Sequence, residues 1–103
     1  MEFKTTNCIA LGAEDFRKAA GFYQRVLGFS QVNEGDEWIE LDSGALRLFM
    51  TADDGTTPTF NLAVQDVDKA AEHLLSEGFA KIGEGDGEIY VRDPFGNAFA
   101  LTK

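Results

Sequence analysis

The sequence predicts an α+β domain made of two copies of one βαβββ unit, and three observations carry that reading. Asp15-Phe16-Arg17-Lys18-Ala19-Ala20 recurs fifty-one positions later as Asp66-Val67-Asp68-Lys69-Ala70-Ala71. Each copy follows a strand-like run, Cys8 to Leu11 and Phe60 to Val64, and leads to a Gly-Phe pair, Gly28-Phe29 and Gly78-Phe79. Further on, Trp38-Ile39-Glu40-Leu41 has a counterpart in Glu88-Ile89-Tyr90-Val91, and a glycine-containing turn follows each. A unit of about fifty residues present only twice is too short an array for a solenoid and implies two modules related by a pseudo-two-fold.

In the first module, residues 5–11 read as a strand. Over 14–27, Phe16, Ala19, Ala20, Tyr23 and Leu27 recur at helical spacing, with Arg17, Lys18, Gln24 and Arg25 mostly off that stripe. Asp15 opens the helix, where a carboxylate accepts from free N–H groups, and Gly28 stops it. Strands are predicted at 30–33, 37–41 and 45–51, separated by the turns Asn33-Glu34-Gly35-Asp36 and Asp42-Ser43-Gly44.

The second module repeats the order. A strand over 59–65 precedes a helix over 66–77, opened by Asp66, with Val67, Ala70, Ala71 and Leu74 on one face. Strands follow at 80–82, 88–92 and 98–102. Gly83–Gly87 reads as one turn and Asp93-Pro94-Phe95-Gly96-Asn97 as another. The glycine-rich stretch has no helix after it, which argues against a phosphate loop. The expected division is a single domain, 1–103, with modules 1–52 and 58–103 joined by a polar linker, 53–57.

Composition bounds the function. At 103 residues, 44% of them hydrophobic and nine of them Phe, the chain reads as one folded domain. A formal charge of −9 argues against nucleic acid, whose phosphates need a basic surface. No apolar run is long enough for a membrane span, and nothing reads as a signal peptide. A single cysteine excludes an internal disulfide and fits a reducing cytoplasm.

Phe22-Tyr23 followed by Val26-Leu27-Gly28-Phe29, then Val64-Gln65-Asp66-Val67-Asp68, then Asp93-Pro94-Phe95-Gly96-Asn97, resemble the vicinal oxygen chelate superfamily. That superfamily includes glyoxalase I, bleomycin-resistance proteins and extradiol dioxygenases. The resemblance spans nearly the whole chain and implies a cup-shaped mixed sheet with helices on its outer face. It also implies four metal-ligand positions, one on each of four strands. Counted from the helix-opening aspartates, two of these are Cys8 and Thr59. Counted from the glycines of the following turns, the others are Ala100 and Leu48. Leu and Ala donate nothing, Thr is a poor ligand and a lone thiol is inadequate. His73, the only histidine, falls within the second helix and cannot replace them. No metal, no cofactor and no catalytic residue are therefore expected, and whether any enzymatic activity remains is left open.

Strand alternation sorts the remaining side chains. On the cup face it places Thr6, Cys8, Ala10, Leu46, Leu48, Met50, Thr59, Asn61, Ala63, Ala98 and Ala100. Under the helices it places Ile9, Leu11, Phe60, Leu62, Val64, Phe99 and Leu101. Arg47 falls by parity on the helix side, which marks either a sheet edge or an error of register. Trp38, Glu40 and Tyr90 turn toward the cup, where Trp38 can stack on a planar ligand, Tyr90 can donate a hydrogen bond and Glu40 can meet a cation. Small side chains on strands one, five and eight leave volume for a ligand. The expected ligand-binding set is Trp38, Glu40, Tyr90, Cys8, Leu48, Met50, Asn61 and Thr59.

The resemblance then implies a metal-free protein that binds a small organic molecule, cationic or aromatic, in the cup or in a groove between two copies, as the bleomycin-resistance branch does by sequestration. The partners expected are that ligand and a second copy, a homodimer with a module exchange through the linker as one form. The alternative is a lyase, isomerase or dioxygenase that holds a divalent ion through other ligands.

Overall fold

The computed structural model describes residues 2–53 and 55–103. Linker residue Asp54 thus lies outside the described residues. The elements run β1 (Lys4–Ala13), α1 (Phe16–Leu27), β2 (Ser30–Glu34), β3 (Trp38–Asp42), β4 (Arg47–Ala52), β5 (Thr59–Ala63), α2 (Val67–Ser76), β6 (Ala80–Gly85), β7 (Glu88–Arg92) and β8 (Ala98–Thr102). The strands are ordered β2-β3-β4-β1 in the first repeat and β5-β8-β7-β6 in the second, each with parallel and antiparallel neighbours. The α+β class and the doubled βαβββ order are those predicted.

One compact unit comprises Asn7–Pro58; the other comprises Thr59–Lys103 together with the residues up to Thr6. In the first, β1 is parallel to β4, β4 antiparallel to β3, and β3 antiparallel to β2. In the second, β5 is parallel to β8, β8 antiparallel to β7, and β7 antiparallel to β6. Phe3, just ahead of β1, packs against the second core. Its ring also stacks on His73 of α2, with centroids 6.2 Å apart.

The repeated aspartates explain why both helices start where they do. Asp15 Oδ1 accepts from the Lys18 N–H at 3.1 Å, and Asp66 Oδ1 accepts from the Lys69 N–H at 3.0 Å. Each cap satisfies a donor that the first turn leaves without a carbonyl. At the other end of α1, Gly28 takes φ 76° and its N–H returns to the Gln24 carbonyl at 3.1 Å, a conformation that glycine adopts without strain.

Each helix then closes its own core. Ala20 of α1, with Phe16, Ala19 and Tyr23, covers Ile39, Leu41, Leu48 and Met50. Ala70, Ala71 and Leu74 of α2 cover Ile89, Val91 and Leu101. This corrects the predicted orientation of two side chains. Leu48 and Met50 are 7% and 0% exposed beneath α1, on the side opposite to the one expected of ligand-binding residues. The cause is hairpin length. Asp42 pairs with Arg47 across four intervening residues, whereas Arg92 pairs with Ala98 across five. Counting from Gly44 as from Gly96 therefore slips by one, and the strand position matching Ala100 is Phe49. Phe60 is a smaller departure: it is 47% exposed and meets Phe99 at 6.3 Å.

The glycine-rich stretch is less of a turn than predicted, since β6 continues through Gly85 and only Asp86-Gly87 link it to β7. Gly83 and Gly85 lie beside the Tyr90 ring, which covers backbone that carries no side chain of its own. Asp93 organises the predicted β7–β8 turn: its Oδ1 accepts from the N–H groups of Phe95 at 2.9 Å and Asn97 at 2.8 Å. These donors, that of Asn97 foremost, hold the Asp93 carboxyl below the usual aspartate range.

Candidate functional site

The pairing registers of the first unit place nine residues on the face of its strands that α1 does not cover. Trp38, Glu40 and Asp42 of β3 lie opposite Thr51, Phe49 and Arg47 of β4. Those in turn lie beside Gly12, Ala10 and Cys8 of β1. Alternation forces the arrangement: Ile39, Leu41, Leu48 and Met50 must go beneath the helix, so their polar and aromatic neighbours go to the other side.

Two groups stand out on that face. The Trp38 and Phe49 rings meet at 5.8 Å between centroids, tilted by 50°. Beside them Arg47 Nη1 donates to Glu40 Oε2 at 3.1 Å, while Nη2 lies 3.8 Å from Asp42 Oδ2. The Glu40 side chain is only 15% exposed, that of Arg47 38%. A half-buried carboxylate needs such a partner, because burial removes much of its hydration. Glu40 was expected to receive a cationic ligand, and its cation is supplied by the chain itself.

The β2–β3 turn forms a wall against Trp38. Gly35 sits so close to the indole that any Cβ there would collide with Nε1 and Cε2. The Gly35 N–H donates to the Trp38 carbonyl at 2.9 Å. From α1, Arg17 Nη2 donates to the Asp36 carbonyl at 2.7 Å, with Glu34 3.7 Å from the same guanidinium. Glycine here is a requirement of close approach, and Arg17 ties the turn to the helix.

The corresponding face of the second unit carries Thr59, Asn61, Tyr90, Arg92, Ala98 and Ala100. It is not the open, small-residue surface expected, for Thr59, Ala98 and Ala100 are 3%, 4% and 2% exposed. Asn61 and Tyr90 are half-buried, and Arg92 Nη1 donates to the Gly96 carbonyl at 2.9 Å. Elsewhere in this unit a broad cleft of about 1110 Å³ lies at the start of α2, bordered by Lys4, Lys69, Lys103, Glu2 and Asp66.

Of the predicted set, the structure brings Trp38, Glu40 and Cys8 to one face of the first unit, and Thr59, Asn61 and Tyr90 to one face of the second. Leu48 and Met50 belong to neither. Arg47, Phe49 and Asp42 were missed. The signal was present in Arg47, a charge that the assumed parity left on the helix side.

With Phe49 in place of Leu48, the four strand positions that the resemblance implies for a metal carry Cys8, Phe49, Thr59 and Ala100. An aromatic ring and a methyl group offer no lone pair to a hard or borderline cation, so this donor set does not fit a divalent ion. Among the described residues no group of three or more His, Cys, Asp or Glu is placed to hold one.

The family profile described as the Glyoxalase/Bleomycin resistance protein/Dioxygenase superfamily matches residues 5–101. No curated protein matches the sequence. The fold is similar to that of a member of the same superfamily from Vibrio splendidus 12B01, at 16% identity and a TM-score of 0.69, covering 97% of each chain. A hypothetical protein from Bacillus halodurans C-125 aligns at 10% identity and a TM-score of 0.71, over 98% of this chain and 94% of that one. A protein from Legionella pneumophila described as an NAD-dependent benzaldehyde dehydrogenase aligns at 15% identity and 0.68, over 91% and 95%. At these identities the likeness concerns the fold alone.

Proposed function

The chain belongs to the Glyoxalase/Bleomycin resistance protein/Dioxygenase superfamily, and from that premise we propose that it binds a small planar organic molecule without a resident metal, as a homodimer in the cytoplasm. The observation that carries the reading is the Trp38–Phe49 pair beside the Arg47–Glu40 ion pair on one face of the first unit. Aromatic rings offer a flat apolar surface at small entropic cost, and the ion pair beside them orients a polar substituent. Arg47 is the accessible member, so a ligand carboxylate or carbonyl meets the guanidinium while its ring lies against the indole. A cationic ligand competes with Arg47 for Glu40, which makes this face less hospitable to a cation than the sequence implied.

Trp38 is the single tryptophan of the chain, so its fluorescence reports this face directly. Titration with a panel of planar aromatic acids, amines and neutral amides is expected to give saturable quenching with at least one acid or amide. Absence of any saturable response across the panel would remove the reading. Elemental analysis of protein purified without chelators tests the metal-free part independently: stoichiometric Ni, Zn, Fe or Mn would favour a metal-dependent lyase, isomerase or dioxygenase instead.

A further inference from the structure

We infer that Thr57 is a specificity-determining residue of the helix-free face of the first unit, its hydroxyl meeting the end of a planar acid that lies farthest from Arg47. The inference rests on the ligand reading above and narrows it to a flat acid of two fused rings with a hydrogen-bonding substituent opposite the carboxylate. The observation that carries it is at Gly12. Any Cβ there would collide with Thr57 Oγ1 and crowd the Asp53 Cα. Cys8, Ala10 and Gly12 share one side of β1 by alternation, so the Thr57 side chain stands on the helix-free side as well.

The chain that leaves β4 turns back to put it there. The Asp53 N–H donates to the Ala13 carbonyl at 3.1 Å, and the Gly55 N–H donates to Asp53 Oδ1 at 3.0 Å. The second copy supplies the contrast. Gly12 corresponds to Ala63, fifty-one residues on, so a glycine stands in the copy that the linker comes back against and a side chain in the other. Thr57 is half-buried, and among the described residues its hydroxyl has no hydrogen-bond partner, so it can donate to a ligand or accept from one.

Position along the strands sets the length of the ligand. Gly12 lies beside Thr51, and Thr51 opposite Trp38, so Thr57 closes the row that the indole opens. Arg47 is four residues from Thr51, about 13 Å at the rise of a strand, and its guanidinium reaches Glu40, which pairs with Phe49 in the next row. A carboxylate on the accessible Arg47 head thus leaves about 10 Å to the Thr57 end, the reach of two fused rings with a substituent at each end. A single ring stops short of Thr57, and three in line overrun it.

Titration calorimetry of the full chain with naphthoate, and with the naphthoate that carries a hydroxyl on the far ring, tests this. The wild type is expected to bind the hydroxylated acid about fivefold more tightly than the plain one. Thr57→Val keeps the shape and removes the hydroxyl; it is expected to bring the two affinities within about twofold while leaving that for naphthoate unchanged. Thr57→Ser keeps the preference. Gly12→Ala, which must push Thr57 aside, loses it, with the circular dichroism of every variant unchanged. A preference that survives in Thr57→Val, or an equal weakening of both acids there, overturns the inference and leaves the ligand reading standing. A wild type that binds both acids alike, or binds neither while another planar compound quenches Trp38, does the same. Failure of every planar compound to bind overturns both.

Discussion

On the first half-sheet the helix-free face offers Trp38, Glu40, Arg47 and Phe49, while the equivalent face of the second presents Tyr90, Arg92 and the buried pair Ala98 and Ala100. Beneath the helices the two halves are far closer in kind: Ile39, Leu41, Leu48 and Met50 in one, Ile89, Val91 and Leu101 in the other. The contrast separates two kinds of constraint. Burial against a helix admits only apolar side chains of suitable volume, so both copies keep the same pattern. The helix-free faces share no such common demand: Arg47 stays partly accessible on the first, while Thr59, Ala98 and Ala100 are buried on the second, and there the copies have parted. Function attaches to the part of a duplicated fold that packing leaves free to differ.

The largest effect that would break this comparison concerns β4. Leu48→Ala and Met50→Ala are each expected to cost about 2–5 kcal/mol in chemical denaturation, as Leu101→Ala does in the second core. Phe49→Ala should cost less, because its ring is only half-buried. If Phe49→Ala unfolded the protein while Leu48→Ala were tolerated, the register on which the candidate site rests would be wrong.

Next in size is the loss of binding. Phe49→Ala is expected to weaken a ligand that quenches Trp38 about tenfold or more, which corresponds to about 1.4 kcal/mol, whereas Tyr90→Phe in the second half should change it little. Equal losses at both positions, read by calorimetry, would show that the halves contribute alike.

The helix caps should behave as a matched pair. Asp15→Ala and Asp66→Ala are each expected to lower stability by about 1 kcal/mol, since each removes one accepted N–H bond of the same geometry. A cap that proved silent in one half alone would mean that its helix is held by packing there.

The smallest effect is acid sensitivity at the β7–β8 turn. The folded Asp93 carboxyl titrates below its unfolded counterpart, so its contribution is present above the unfolded value and is lost as pH falls through the folded one. Carboxyl NMR should show Asp93 titrating below an ordinary aspartate, and Asp93→Asn should blunt the acid end of the stability profile. An unshifted Asp93 resonance would count against the turn geometry described.

Much of the fold could be read from local pattern. The aspartate caps, the Gly28 stop and the apolar alternation of β7 and β8 are short-range signals that the structure follows closely. The register of β4 was not legible in the same way, because Gly44 and Gly96 sit at different places in hairpins one residue apart in length. The pairing of Glu40 with Arg47 was hidden by the same slip, which sent Arg47 to the wrong side. Burial of Thr59, Ala98 and Ala100 is set by what covers them, and their own size gives no indication of it. Trp38 and Glu40 were found because Ile39 and Leu41, strongly apolar neighbours, fix the parity of β3 without reference to any turn.

Phe3 stands just before β1, and with the residues up to Thr6 it belongs to the second unit although the sequence repeat assigns it to the first. A fragment cut to begin at Thr59 would carry nearly every residue of the second core yet lack the ring that rests on His73. Such a half should gain structure when a short peptide spanning residues 2–6 is added in trans.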